Sequence, residues 1–143
     1  MSQPAEPRQA DDDIATVLVD GSNVAHAVEG QPPCLASIIA VRDKLVEEGL
    51  EPIIVVDAAL RHQIDDPDGY EHLVEQGAIR QAPAGTDADY FILSFARELN
   101  AGVVSNDRFR DRAKAFRDVC ERVIRYMVVE GEVVLERRMK GRR

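Results

Sequence analysis

VLVDGSNVA, residues 17–25, decides how the rest of the chain is read. An apolar, largely β-branched run ends in a carboxylate, and glycine, serine and asparagine follow before the chain turns apolar again. A continuous apolar run, rather than alternation, marks a strand buried on both faces, as in a parallel sheet. Asp20 directly follows that strand, so its carboxylate emerges at the strand's C-terminal edge. Gly21 permits a tight turn, and Asn23 can aim its amide back at the same edge. Open parallel sheets build their sites along that edge.

Three more segments have the same character: IIVVDA (53–58), GTDADYFI (85–92) and VVSNDRFRD (103–111). Asp107 follows Val103 and Val104 as Asp20 follows Val19, with Ser105 and Asn106 as local hydrogen-bonding partners. Asp111 shares a face with Asp107 if a helix starts there. Asp87 and Asp89 fall in the first turn of a helix, where the macrodipole favours negative charge. That dipole alone would explain a first-turn aspartate, and a strand-ending aspartate can simply cap a turn. Two strand ends together with the Asp87/Asp89 pair make convergence the simpler account. Carboxylates gathered at one edge repel one another unless a divalent cation lies between them. Asp57 also ends a strand but runs on into Ala-Ala-Leu, which points to a structural role.

Working outward, residues 14–19 and 52–56 read as buried strands, and 78–81 and 102–104 as short ones. Residues 35–48 have helical periodicity, with Gly49 just past the end. Residues 58–69 read as a loop with one helical turn at most, 70–76 as a short helix, and 86–99 as the clearest helix, with Thr86 as its N-cap. Residues 108–120 are expected to form one or two helices, and 125–135 a hairpin turning at Glu130-Gly131. Strands alternating with helices give a mainly parallel sheet covered on both faces, an α/β three-layer sandwich with an antiparallel hairpin at its edge.

The 143 residues make one domain, expected over 14–136, between a disordered leader (1–13) and a basic tail (137–143). No apolar run approaches the ~20 residues of a membrane span. The N-terminus has no secretory pattern, and the lone cysteines Cys34 and Cys120 suit a reducing cytoplasm. The net charge of −8 hides a division. Residues 1–104 hold 6 Lys/Arg against 19 Asp/Glu, whereas 105–143 hold 12 against 7. Arg108, Arg110, Arg112, Lys114 and Arg117 crowd one short segment and offer phosphates a local surface on an acidic molecule.

Oxygen-only ligands select Mg²⁺ or Mn²⁺ over zinc. His26, His62 and His72 have no metal-binding spacing, and His26 is an exposed loop residue near the Asp20 turn. No phosphate-cradling glycine loop occurs, and no serine or cysteine sits in a nucleophile motif. What remains is metal-assisted hydrolysis of a phosphodiester.

On these residues the chain resembles the NYN branch of the PIN-like nucleases, specifically the regnase-type ribonuclease domain. DGSNVA (20–25) looks like that family's opening motif, and VVSNDRFRD (103–111) like its late acidic segment, with a further likeness from Glu121 through Tyr126 and Val129 to Val134. The resemblance implies a PIN-like fold and a divalent-metal-dependent endoribonuclease acting on single-stranded or looped RNA. Asp20, Asp89, Asp107 and Asp111 match the family's acidic ligands, and Asn23 the asparagine that orients the site. The family's paired acids are adjacent, but here Ala88 stands at the first of them, with Asp87 one step earlier. Either Asp87 substitutes through a shifted helix start, or the site holds one ligand fewer. Ser22, Asn106, Arg108, Arg110, Arg112 and Lys114 are the expected RNA contacts. The regnase-type zinc finger has no counterpart in two lone cysteines and dispersed histidines. The expected partner is RNA, with no membrane and with room for a homodimer. Alternatives are a catalytically weak RNA-binding regulatory module and a DNA-directed nuclease on the same fold. A phosphorylatable receiver domain built on Asp57 is disfavoured, because no lysine ends a later strand.

Overall fold

The computed structural model describes residues 15–136; the expected leader (1–13) and basic tail (137–143) lie outside them. The elements follow the order β1 (Thr16–Asp20), α1 (Gly21–Ala25), α2 (Leu35–Glu47), β2 (Glu51–Val56), a 3-10 turn (Ala58–His62) and α3 (Pro67–Glu75). Then come β3 (Ile79–Gln81), α4 (Ala88–Leu99), β4 (Gly102–Val104), α5 (Arg117–Cys120), β5 (Val123–Val129) and β6 (Glu132–Glu136). The strands form one six-stranded sheet in the order β3-β2-β1-β4-β5-β6. All pairings are parallel except β5 with β6, which form the hairpin at the edge.

The apolar run that opened the reading explains the layering. Side chains alternate across a strand, so Val17 and Val19 face one helical layer and Leu18 faces the other. The first layer packs Val24, Ile38, Val41, Leu45 and Tyr70 from α1, α2 and α3. The second packs Ile92, Leu93 and Ala96 of α4 with Phe109, Phe116 and Val119. Every side chain named here is buried, which is why the strand shows no polar alternation.

The strand order places the site. From β1 the chain moves outward to β2 and β3, then crosses through α4 and returns to β4 on the other side of β1. The carboxyl ends of β1 and β4 therefore flank a topological switch point, the crevice where open α/β sheets hold their ligands.

Three local expectations are corrected. The helical turn expected within 58–69 is a 3-10 turn over 58–62, but α3 starts at Pro67, three residues before the expected 70. Asp66 caps α3 by accepting the Gly69 N–H at 3.0 Å, with proline in the first turn, where a missing N–H costs nothing. The N-cap of α4 is Asp87, not Thr86; its Oδ1 accepts from the backbone of Asp89 and Tyr90. The basic segment 108–120 is helical only over Arg117–Cys120, preceded by turns. Phe109 interrupts it with a φ of 51° while its ring is buried in the second layer, so core packing outweighs the local helical preference.

Candidate functional site

The Asp20 turn is built by close packing. A Cβ on Gly21 would come within 2.6 Å of Val56 Cγ1 and 3.1 Å of the Val55 carbonyl oxygen. Only glycine lets α1 start so tightly against β2, and that start keeps Asp20 at the crevice. Asp20 caps α1, its Oδ1 accepting the Asn23 N–H at 3.3 Å. Its Oδ2 accepts the Ser105 hydroxyl at 2.8 Å. The carboxylate is only 6% exposed. Burial is the chief reason its pKa rises to about 6; the two hydrogen bonds oppose the rise, and the charges of Asp89 and Asp107 add to it.

Those two acids complete a group drawn from three elements: Asp20 from the end of β1, Asp89 from the first turn of α4, and Asp107 from the loop after β4. Burial raises the Asp89 pKa as well, with Asp107 adding repulsion. Asp107 is held by its own loop, its N–H donating to Ser105 Oγ at 3.0 Å and its Oδ1 accepting from Phe109 N–H at 2.7 Å. Ser105 thus donates to Asp20 and accepts from Asp107, from a fully buried position. Among the described residues, no three His, Cys, Asp or Glu side chains are grouped tightly enough as they stand to grip an ion.

Asn23 and Asn106 frame the group. Asn23 Oδ1 accepts from the Asn106 N–H at 3.1 Å and from the Tyr126 hydroxyl at 2.6 Å. The Asn106 side chain copies a strand edge, its Nδ2 donating to the Tyr126 carbonyl at 2.9 Å and its Oδ1 accepting the Tyr126 N–H at 3.1 Å. Asn106 therefore extends the β4–β5 pairing by one side chain, and its amide is engaged with protein rather than turned to solvent. Tyr126 is buried, and that burial, with Asp20 nearby, raises its phenol pKa. Sequence reasoning noticed Ser105 only as a local partner and did not count Tyr126 in the site. A buried serine between two strand-end acids was the available signal for the first; nothing local marks the second.

The remaining expected residues divide. Ser22 Oγ accepts the Asp57 N–H at 3.0 Å, tying the Asp20 turn to the end of β2. Asp87 is committed to the α4 cap, and its other oxygen pairs with Arg112. Asp87 does not turn inward to replace the missing acid, and Ala88 itself packs against the second layer. Asp111 is exposed and is not among the charges acting on Asp20 or Asp89. The helix that was to align it with Asp107 is absent. Arg108, Arg110 and Lys114 are exposed on the turns beside the acids, without an ion pair among the described residues. His26 is exposed and donates from Nδ1 to the Ser22 carbonyl at 2.8 Å. Cys34 and Cys120 are free thiols, and no described helix is long and apolar enough to cross a membrane.

A family model described as the Zc3h12a-like ribonuclease NYN domain matches residues 13–143. Among solved structures, two of the nuclear proteinaceous RNase P 2 of Arabidopsis thaliana are similar to the chain. One is 22% identical and the other 23%, each with a TM-score of 0.66 over 84% of this chain. The chain spans only 29% of the length of that protein, and the likeness is one of fold. A comparison with curated proteins finds no match. The fold is the PIN-like α/β sandwich that the strand pattern and the resemblance led us to expect.

Proposed function

The chain belongs to the Zc3h12a-like ribonuclease NYN domain family, and from that premise we propose that it is a divalent-metal-dependent endoribonuclease acting on single-stranded or looped RNA. One observation carries the proposal: Asp20, Asp89 and Asp107, from three separate elements, converge at the β1–β4 crevice closely enough to act on one another's charge. The donor set fits a hard cation. All its atoms are oxygen, and a mutually repelling set of carboxylates, with Asp20 buried among them, gains most from a Mg²⁺ or Mn²⁺ ion.

Asp20, Asp89 and Asp107 would hold that ion. When bound, it supplies a more acidic water and offsets charge on the phosphate oxygens. The chain's own residues do the rest. Ser105 and the Asn23 N–H fix the two oxygens of Asp20, so that carboxylate has one orientation. Tyr126 and the Asn106 N–H hold the Asn23 oxygen, leaving its NH₂ free to face a substrate oxygen. Arg108, Arg110 and Lys114 meet the backbone phosphates on either side. With Ala88 in place of the first of the family's paired acids, the site works with one ligand fewer.

Purified protein with Mn²⁺ should cut a single-stranded RNA, and Asp107→Asn should abolish cutting. Cleavage that survives this substitution counts against the reading. Ala88, together with the loose grouping of the acids, supports a second reading, a catalytically weak RNA-binding module. That reading predicts salt-dependent RNA binding without metal-dependent cleavage in the same assay.

A further inference from the structure

We infer that Tyr90, flanked by Arg112, is a stacking platform for an unpaired base of single-stranded RNA next to the carboxylate group; this rests on the ribonuclease reading above. Tyr90 directly follows Asp89 in the first turn of α4. Successive helical side chains diverge by about 100°. While Asp89 faces Asp20 and Asp107, Tyr90 turns toward the basic turns after β4. There its ring meets the buried Phe116 edge-to-face, with centroids 5.6 Å apart and planes at 76°. The guanidinium carbon of Arg112 lies 5.4 Å from the same centroid. Arg112 is in turn paired with Asp87, the cap of the helix that carries Tyr90. The ring is therefore held by Phe116 edge-to-face and by the Arg112 guanidinium over one of its faces, which leaves the opposite face as the one a base would meet.

It is nonetheless 50% exposed, and its hydroxyl makes no hydrogen bond among the described residues. A tyrosine placed only to fill space would be covered, or would use its hydroxyl. A half-exposed ring held by Phe116 and Arg112, next in sequence to Asp89 of the carboxylate group, has the chemistry that receives a splayed base. Every base offers a π-face, so the platform is tolerant of sequence. Bases within a duplex are already stacked and cannot reach it, so the platform favours single strands.

The test measures the affinity of the full chain for a fluorescein-labelled oligouridylate and for an RNA duplex, in EDTA so that nothing is cut. Tyr90→Phe should bind as the wild type does. Tyr90→Leu, which keeps the apolar packing on Phe116, and Tyr90→Ala should bind the single strand roughly tenfold more weakly. Their salt dependence should be unchanged, since no phosphate contact is lost, and any affinity for duplex should be untouched. Single-strand binding by Tyr90→Leu equal to wild type overturns the platform and leaves the nuclease reading standing. Equal loss on both RNAs overturns it too, because that is damage to the surface rather than to stacking. A wild-type protein that neither binds RNA in EDTA nor cuts it in Mn²⁺ removes the nuclease reading itself.

Discussion

Replacing Asp20 with asparagine should make the metal-free protein more stable while abolishing its cleavage of RNA. The carboxylate is buried, and its pKa is pushed from 3.8 to about 6. Each unit is worth about 1.4 kcal/mol, so ionising this group in the folded protein costs about 3 kcal/mol relative to the unfolded chain. The sign follows from the direction of the shift. With the folded pKa above the unfolded one, the stability contribution is fully present below pH 3.8 and is lost as pH rises through about 6. Asparagine carries no charge to desolvate, keeps an oxygen for the Asn23 N–H, and offers its NH₂ to Ser105 Oγ. The buried Ser105 hydroxyl then loses its acceptor, which costs about 1–2 kcal/mol. The net gain at pH 7 is about 1–2 kcal/mol, or roughly 5 °C in Tm for a domain of this size. Thermal melts of both proteins in EDTA across pH 3.5–7.5 measure it: the advantage of Asp20→Asn should be absent at the acid end and develop between pH 4 and 6. Mn²⁺ at a hundred times its Kd should raise wild-type stability by about 2.7 kcal/mol and leave the variant unmoved. A variant no more stable than wild type at pH 7, or an advantage that persists at pH 3.5, refutes the reasoning.

Three other substitutions test separate parts of the site. Ala88→Asp restores a fourth acid beside Asp89; the Mn²⁺ concentration for half-maximal cleavage should fall several-fold, at a stability cost of about 1 kcal/mol from the lost packing, and an unchanged metal requirement would mean that position 88 does not face the ion. Tyr126→Phe removes the hydroxyl that holds Asn23 at 2.6 Å; kcat should drop while KM and the Tm, lowered by about 1 kcal/mol equivalent, change little. If KM rises instead and kcat holds, Asn23 serves substrate binding rather than the chemical step. Gly21→Ala forces a methyl against Val56 and the Val55 carbonyl, and should cost about 1–3 kcal/mol in chemical denaturation together with most of the activity; a stable, active variant would show that the Asp20 turn can open without consequence.

The parts of the site legible in the sequence are those fixed by the nearest few residues. Asp20 and Asp107 each follow a buried strand, and a strand's end dictates where the next side chain emerges. The pair Asp87 and Asp89 was not separable in this way, because both suit a first helical turn. Their division into cap and inward-facing acid depends on Arg112, which pairs with Asp87 from 25 residues away. The basic segment misled for a related reason. Its composition favours a helix, but the buried ring of Phe109 fixes a backbone turn that no local preference reports. Asn106 was expected as a local hydrogen-bonding partner and an RNA contact. Its amide instead continues the pairing of two strands, a role that depends on where Tyr126 lies across the sheet.

The chain treats carboxylates in three different ways, and the contrast isolates the one that structure alone does not explain. Asp118 is exposed and paired with Arg97 through two hydrogen bonds, of 2.6 and 3.1 Å, and its pKa falls to about 2, so the fold favours its charge. Asp66 and Asp87 cap helices from the surface, where water shares the work and burial costs nothing. Asp20 also caps a helix, yet it is buried, faces no cation among the charges that act on it, and is pushed toward protonation by two neighbouring acids. An exposed aspartate could cap α1 equally well, so capping does not require the burial. The same carboxylate beside a divalent ion would have its charge compensated and its neighbours turned from repulsive to cooperative. A site that is unfavourable empty and favourable when loaded is what the proposed metal-dependent nuclease requires, and the energetic cost of Asp20 supports that proposal.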